Sequence, residues 1–533
     1  MTRPVELLRQ GRKEELWQKC CGFIDLRIDQ FMGIQRRLLL EQIGLLKGCE
    51  LGRKVMQGAE PTSVDEFREQ VPLTTYADYA CYLSERREDV LPEKPLLWQR
   101  TSGSSGEFEY KWFPLTERLY NELGNLIFAY MIFCTAERRG DINFGEHQKI
   151  IYALAPPPYT TGTMGRLGER ELPLDFLPPL DEAEAMPFDE RIQRGFQLAL
   201  TEGLDVFFGL PSILVAVGER FNGSLGARDL LSVLSKPGLA LRLARAWLKA
   251  KAARRPVLPK DLWSLKGIAV AGSDASIYKN KIKEMWGRYP LDLYGCTEAV
   301  PIAMQTWDYE DMTFVPDVCF LEFLPEEELG RMKANPSYRP RTLLLDEVRA
   351  GENYEIVITN FRGGALARYR IGDMIKITSL RNDNLGIDIP QMRYECRVDG
   401  LIDLAGFTRL TEKTIWQAIE NADVPYQEWT ARKEATDRPI LHLYLELKGH
   451  SNGTAPQIAA AIHEQLRKLD SAYADLESMV GLHPLEVTLL PTGAFQEYML
   501  RQKAAGADLA HLKPPHLNAS DGVIDALLAC ARR

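Results

Sequence analysis

Histidine is scarce: seven occur in 533 residues, and only His147 precedes residue 440. That leaves no H-x-x-x-H or H-E-x-x-H pairing for a zinc site. The nine cysteines are odd in number and scattered, with no C-x-x-C, so they form neither a disulfide framework nor a redox motif. The opening MTRPVELLRQGRKEELWQKC has no apolar core ending in a small-residue cleavage site, unlike a secretory signal. Together these features predict reduced thiols in a cytoplasmic protein. Long apolar runs are missing. Leu123–Cys134 and Val206–Val217 are the longest, and both fall short of the roughly 18 residues that a membrane helix needs. An excess of positive charge is missing as well: 65 Lys and Arg stand against 74 Asp and Glu, for a net −9. Proteins that bind duplex nucleic acid by counterion release carry a basic footprint. The one basic stretch, Arg242–Lys260, reads as the solvated face of a helix. No nucleic-acid or membrane partner is therefore expected. Nor is there a G-x-S-x-G elbow, a Walker-type phosphate loop or a G-x-G-x-x-G turn.

What is present is an ordinary globular composition, 45% apolar and 26% charged, in a chain long enough to bury a large core. Residues 1–60 read as helices. Leu96-Leu97-Trp98 and Tyr110–Phe113 read as strands flanking a Gly/Ser loop. Thr116 is placed to cap a long helix whose apolar face is Leu119, Leu123, Ile127, Tyr130, Met131 and Cys134. Beyond it, strands at 150–154, 268–271 and 291–294 alternate with helices at 190–200, 212–220 and 276–286, the pattern of a layered α/β domain. Strand-rich segments follow at 319–324, 354–360 and 367–378. The polar RNDNLGIDIP at 381–390 reads as a loop or linker. Past it, helices at 412–421 and 456–477 and strands at 442–447 and 485–490 predict a compact α+β unit.

Six segments carry polar chemistry. Thr101-Ser102-Gly103-Ser104-Ser105-Gly106 combines hydroxyls with glycines, so successive backbone N–H groups can face one phosphate. Ala271-Gly272-Ser273-Asp274 sits at a strand end, where Gly272 permits close approach of a flat ring. Tyr294-Gly295-Cys296-Thr297-Glu298 offers an aromatic face, a hydroxyl and a hard oxygen suited to Mg²⁺. Strand ends of open α/β sheets are where ligand crevices form. Tyr369-Arg370-Ile371-Gly372-Asp373 reads as strand–turn–strand, with Asp373 able to accept two ribose hydroxyls. Arg397-Val398-Asp399 opens the second domain, and Lys513-Pro514-Pro515-His516 lies near the end of the sequence. Cys296, the one thiol beside these groups, reads as structural. Aromatic and sulfur side chains at Phe128, Tyr130, Met131, Phe133, Phe207 and Phe208 fit either a plain core or an apolar substrate pocket, and 156–163 reads as a loop at its rim.

Each segment alone is weak, but together they stand in the order found in adenylate-forming enzymes. Within that superfamily the chain resembles the Gretchen Hagen acyl-acid-amido synthetases, the auxin-responsive family, in its bacterial type. The resemblance is carried by RTSGSSGEFEYKWFPLT (100–116), GLPSILV (209–215), YGCTEAV (294–300), YEIVITNFRGGALARYRIGD (354–373) and AHLKPPHL (510–517). His516 stands where the family's closing motif has Arg. The resemblance implies a firefly-luciferase-like α/β adenylation domain of layered sheets and helices over 1–395 and a small mobile α+β domain over 396–533. It implies an enzyme that uses ATP and Mg²⁺ to turn a carboxylic acid, hydrophobic or aromatic by the pocket reading, into acyl-AMP. The acyl group then passes to an amine, commonly that of an amino acid. In this scheme Thr101, Ser102, Gly103, Ser104, Ser105, Gly106 and Thr297 serve the phosphates. Gly272, Ser273, Tyr294 and Gly295 frame the adenine. Asp373 holds the ribose, Arg397 marks the hinge, Glu298 holds Mg²⁺, and Lys513 neutralises charge at the reacting carboxylate. Transfer to coenzyme A or another thiol, and a catalytically silent nucleotide-binding scaffold, are the alternatives.

Overall fold

The computed structural model describes residues 2–101, 111–223, 237–271, 275–335, 337–398, 400–404, 408–435, 439–449, 453–470, 473–474, 485–504 and 515–529. The chain divides into two compact units. The large one comprises Met1–Thr101, Lys111–Ile371 and Ile375–Tyr394; the small one holds Gly372–Met374 and Glu395–Arg533.

In the large unit β1 (Pro95–Arg100) and β2 (Trp112–Thr116) form an antiparallel pair. The main sheet has eleven strands among the described residues. In chain order they are β3 (Gln148–Ala153), β4 (Leu174–Phe176), β5 (Val206–Gly209), β6 (Gly267–Ala271), β7 (Leu291–Cys296), β8 (Ala299–Met304), β9 (Met312–Phe314), β10 (Cys319–Pro325), β11 (Asn353–Asn360), β12 (Tyr369–Ser379) and β13 (Gln391–Arg397). Across the sheet the order is β10-β11-β12-β13-β9-β8-β7-β6-β5-β3-β4. The run from β4 to β7 is parallel. Its strands are almost wholly apolar (VFFG in β5, GIAVA in β6), as strands buried on both faces must be. At β7 the sheet changes character, because β7 and β8 form an antiparallel hairpin.

Helices cover the parallel half. Thr116 accepts a bond from the Leu119 N–H at 3.3 Å and so starts the helix Glu117–Thr135. That helix is buried nearly all round, sitting in the main core with the N-terminal helix Ile28–Gly48. A second core lies under the helices Pro211–Gly223 and Ala275–Trp286. There Trp263 and Trp286 stack at 5.9 Å, and their indole N–H groups donate to the carbonyls of Ala199 and Leu214. At the far edge of the sheet, Gln35 bonds the Leu321 N–H at 2.9 Å and the Cys319 carbonyl at 2.9 Å. Phe323 and Leu343 exchange two backbone bonds of 2.8 Å.

In the small unit the described residues form a hairpin of β14 (Leu401–Leu404) and β15 (Thr408–Thr411). A three-stranded sheet of β16 (Tyr426–Ala435), β17 (Pro439–Leu447) and β18 (Leu485–Leu490) follows. β17 and β18 run parallel, and the helix Ala455–Leu469 lies between them in sequence.

The structure corrects three local expectations and narrows a fourth. The 156–163 stretch becomes helical at Thr160, because the helix Thr160–Glu171 starts there. Tyr369–Asp373 is one continuous strand with Gly372 at φ +82°, not a strand–turn–strand. The 381–390 stretch, expected as a loop or linker, is a loop inside the large unit, closed by backbone bonds between Asn382 and Ile387. The helix expected at 456–477 ends at Leu469, with Asp470 as its C-cap. The Arg242–Lys260 stretch is mostly exposed on and after the helix Pro237–Ala252, but that helix also exposes Leu241, Trp247 and Leu248.

Candidate active site

The β7–β8 hairpin is the best-defined part of the candidate site. Cys296 pairs with Ala299, so Thr297 and Glu298 form its two-residue turn. Gly295 is needed just before that turn: a Cβ there would lie 2.7 Å from Val300 Cγ2 and 3.0 Å from Val300 Cα. The turn is pinned from β11, where Asn360 Nδ2 donates to the Glu298 carbonyl at 2.9 Å. The Glu298 carboxylate is half-buried and accepts a bond from the Tyr369 hydroxyl at 3.3 Å. Burial first, and then Glu298, pushes the Tyr369 hydroxyl well above the usual phenol range, so Tyr369 stays a donor. Tyr369 was not singled out in the sequence, and neither was Asn360. The YRIGD segment that contains Tyr369 was the available signal.

Tyr294 is 6% exposed, with its ring stacked on Tyr394 at 5.9 Å and 25°. One face of the expected adenine platform is thus backed by a second tyrosine. Thr101 joins the ends of β1 and β2: its N–H donates to the Lys111 carbonyl at 2.9 Å, and its Oγ1 accepts from the Lys111 N–H at 3.2 Å. Ser102, Gly103, Ser104, Ser105, Gly106, Gly272, Ser273 and Lys513 lie outside the described residues.

In the small unit Asp373 and Arg397 meet. Arg397 Nη1 donates to Asp373 Oδ1 at 3.0 Å, with the carboxylate largely buried and the guanidinium half-exposed. The Val398 N–H donates to the Gly372 carbonyl at 2.8 Å, which ties the residues after β13 to β12. A side chain at Gly372 would be strained by its positive φ and would lie 3.0 Å from Arg397 Nη2.

Beside β7 lies an apolar cavity of about 90 Å³. Its walls are the helices Glu117–Thr135 and Thr160–Glu171 and the strands β3, β5, β6, β7 and β8. The aromatic and sulfur residues that the sequence left undivided now separate. Tyr130, Met131 and Phe208 face the cavity. Phe128, Phe133 and Phe207 are fully buried core, packed against Phe144, Trp307 and Phe196 respectively. Three cavity residues adjoin the expected nucleotide segments in sequence: Ala271 precedes Gly272, Leu293 precedes Tyr294, and Val300 follows Glu298 by two. No charged side chain lines the cavity among the described residues.

Among the described residues no cluster of three or more His, Cys, Asp and Glu is placed to hold a metal ion. A single half-exposed carboxylate such as Glu298 instead fits Mg²⁺, which takes one or two protein carboxylates and completes its shell with phosphates and water. No helix among the described residues is long and apolar enough to cross a membrane.

Comparison with known proteins bears on the family and the fold. Family models match along the chain: GH3 family N-terminal domain at 22–164, GH3 family central domain at 312–397 and GH3 family C-terminal domain at 411–521. A jasmonoyl–L-amino acid synthetase, GH3.5 of Oryza sativa subsp. japonica, is 26% identical over 272 residues, 47% of this chain and 45% of that protein. An indole-3-acetic acid-amido synthetase, GH3.3 of Arabidopsis thaliana, is 26% identical over 217 residues, 38% of this chain and 34% of that one. The chain thus spans less than half the length of these curated relatives. Among solved structures, the AtGH3.15 acyl acid amido synthetase in complex with 2,4-DB superposes with a TM-score of 0.68 at 17% identity, over 96% of this chain and 95% of that one. A 2-hydroxyisobutyryl-CoA ligase in complex with 2-HIB-AMP gives 0.60 at 16%, over 95% and 92%. These likenesses show the α/β fold of adenylate-forming ligases. With its three domain models in order along the chain and covering more than half of it, this protein belongs to the GH3 family.

Proposed function

We propose that the protein is an ATP-dependent acyl-acid-amido synthetase. The observation that carries the reading is the apolar cavity built from the same strands as the Tyr294–Glu298 hairpin. An acid's tail buried there leaves its carboxylate toward the segments expected to hold ATP. In the first half-reaction a carboxylate oxygen attacks the α-phosphorus, the bond to the β-phosphate oxygen breaks, and pyrophosphate leaves. In the second, an amine nitrogen attacks the acyl carbon, the mixed anhydride opens, AMP leaves and the nitrogen gives up a proton. Two anions meet in the first step, so placed positive charge dominates its barrier. Mg²⁺, when bound, would supply part of that charge by neutralising phosphate oxygens.

This chain's own residues divide the remaining work. Glu298 anchors the metal side, held in line by Tyr369. Tyr294, backed by Tyr394, takes the adenine, and Gly272 and Ser273 lie along its edge. The 101–106 loop and Thr297 hold phosphate oxygens. Asp373, oriented by Arg397, takes the ribose. Lys513 comes in on the small domain, 396–533, which moves about Arg397 between half-reactions. The relatives' names, which pair acyl acids with amino acids, support an amino-acid acceptor. The ligase that shares this fold names coenzyme A, so a thiol is the second reading.

Purified protein with ATP, Mg²⁺, a pool of carboxylic acids, the twenty amino acids and coenzyme A tests this by mass spectrometry. AMP plus an acid-and-amino-acid mass, less water, is the expected result. A thioester mass would keep the adenylation and replace the acceptor. No acid-dependent AMP across a broad pool would overturn the reading in favour of a silent nucleotide-binding scaffold.

A further inference from the structure

Four hydroxyl-bearing side chains stand on the cavity wall: Tyr130, Tyr152, Thr160 and Thr161. Three are committed to backbone carbonyls. The Tyr130 hydroxyl lies 2.8 and 2.7 Å from the carbonyls of Val270 and Leu291. Tyr152 donates to the Thr161 carbonyl, and Thr161 Oγ1 donates to the Ala155 carbonyl at 3.1 Å. Thr160 differs: it is only 9% exposed, and its Oγ1 is buried with no hydrogen-bond partner. Buried hydroxyls are nearly always paired, so an unpaired one on a cavity wall is a donor waiting for an acceptor.

The surrounding backbone points the same way. Thr160 opens the twelve-residue helix Thr160–Glu171, and the preceding Tyr159 gives it no side-chain cap. The first-turn N–H groups of a helix lack intrahelical acceptors and favour electron-rich atoms. This turn is held fixed. Gly162 lies flat against Pro156–Pro157, where a Cβ would come within 2.0 Å of Pro157 N. Tyr159 is covered by the Arg100 guanidinium, whose Nη2 donates to the Tyr159 hydroxyl at 2.9 Å. Met164, Leu154, Tyr152 and Phe176 also line the cavity, and no cation lines it among the described residues. A carboxylate at Thr160 would be desolvated without a counter-charge, whereas a neutral oxygen suits the site.

Resting on the acyl-acid reading of this cavity, we propose that Thr160 is a specificity-determining residue. The cavity takes an apolar carboxylic acid whose tail carries one neutral hydrogen-bond-accepting oxygen, as a ketone, ether or hydroxyl, and the Thr160 hydroxyl donates to it. Thr161, Tyr130 and Tyr152 have no donor to spare, so the position of that oxygen along the tail is selected.

The test is acid-dependent AMP formation with phenyl-terminated acids in which one methylene at a time is replaced by an ether oxygen, each compared with its all-methylene analogue. The wild-type protein should favour one oxygen position by about 10- to 100-fold in kcat/KM. Thr160→Val, which keeps the shape and removes the hydroxyl, should level that preference, read as the ratio of each ether acid to its methylene analogue. Thr160→Ser should retain it. Melting temperatures of both variants report any loss of fold. The proposal is overturned if no position is favoured or if Thr160→Val keeps the preference. It is equally overturned if all acids lose activity alike, since the hydroxyl would then be serving the carboxylate they share. No acid-dependent AMP from any acid would strike the underlying functional reading, and this proposal with it.

Discussion

Replacing Glu298 with Gln removes one negative charge from the β7–β8 turn and disturbs little else. The turn is held through its backbone, by Asn360 Nδ2 on the Glu298 carbonyl, and that bond does not involve the side chain. The Tyr369 hydroxyl, 3.3 Å from Oε1, still finds an acceptor in the glutamine oxygen. What is lost for folding is the extra strength of a charge-assisted bond over a neutral one, about 1 kcal/mol or less. What is lost for the proposed first half-reaction is a charge at the metal side. Removing one preorganised electrostatic contact typically lowers a rate by about 10²–10³-fold, or roughly 2.7–4 kcal/mol of barrier. The two effects are far enough apart to separate. The assay is carboxylate-dependent pyrophosphate–ATP exchange over a Mg²⁺ titration, with the melting temperature recorded alongside. The expected result is exchange reduced at least a hundredfold, a higher Mg²⁺ requirement and a melting temperature within a few degrees. Exchange within threefold of wild type at saturating Mg²⁺ would refute the assignment of Glu298.

Gly162→Ala should destabilise the protein by about 2 kcal/mol or more and raise the KM for any acid, because the new methyl meets the Pro156–Pro157 backbone and not a movable side chain; melting and acid titration check it. His516 carries a pH dependence. Burial opposes its charge, but hydrogen bonds to Glu412 at 2.6 Å and Glu428 at 2.8 Å outweigh that and hold it up to about 9. Because the folded value lies above the ordinary 6.5, this contribution is complete below about pH 6.5 and is lost as pH rises through about 9; it is worth on the order of 3 kcal/mol. Hydrogen exchange of peptides covering 426–435 should therefore speed up beyond the intrinsic rate between pH 7 and 10, and His516→Gln should flatten that change. Among the described cysteines, Cys81 should react first with maleimide at pH 7, since it is exposed and lies 3.3 Å from Lys54 Nζ. Burial pushes the Cys20 and Cys134 thiols up to about 12, and mass mapping that finds either labelled before Cys81 would contradict this order.

Much of the scaffold was legible because its signals are local. Thr116 before apolar residues at helical spacing announced the helix Glu117–Thr135, and an unbroken apolar tetrad at 268–271 announced β6. The errors fell where composition and backbone disagree. Thr160-Thr161-Gly162 has the make-up of a loop, yet Gly162 is there so that a helical turn can lie against two prolines. Gly372-Asp373 has the make-up of a turn, yet a positive φ at Gly372 is absorbed inside a strand. The partners of Glu298 were invisible for another reason. Asn360 and Tyr369 are 62 and 71 residues away, on strands that are not neighbours of the hairpin in the sheet, so neither sequence spacing nor strand pairing announces the contacts. Helical periodicity likewise places Phe128, Tyr130, Met131 and Phe133 on a buried helix, but it does not say which of them face a void.

The edge of the main sheet has a consequence for how this protein behaves at high concentration. An open edge strand is a template for pairing with another chain, and so for fibres and swapped dimers. On β10 much of that edge is already occupied. Its outward Cys319 carbonyl and Leu321 N–H are taken by the Gln35 side chain, and Phe323 gives both its backbone groups to Leu343. At the other end β4 is only three residues long, too short to seed a ladder. A single buried glutamine on the helix Ile28–Gly48 thus occupies two of the groups through which another strand would pair. Gln35→Leu, similar in size, would leave the Cys319 carbonyl and the Leu321 N–H buried and unpaired, so this edge would be held less firmly against pairing with other copies.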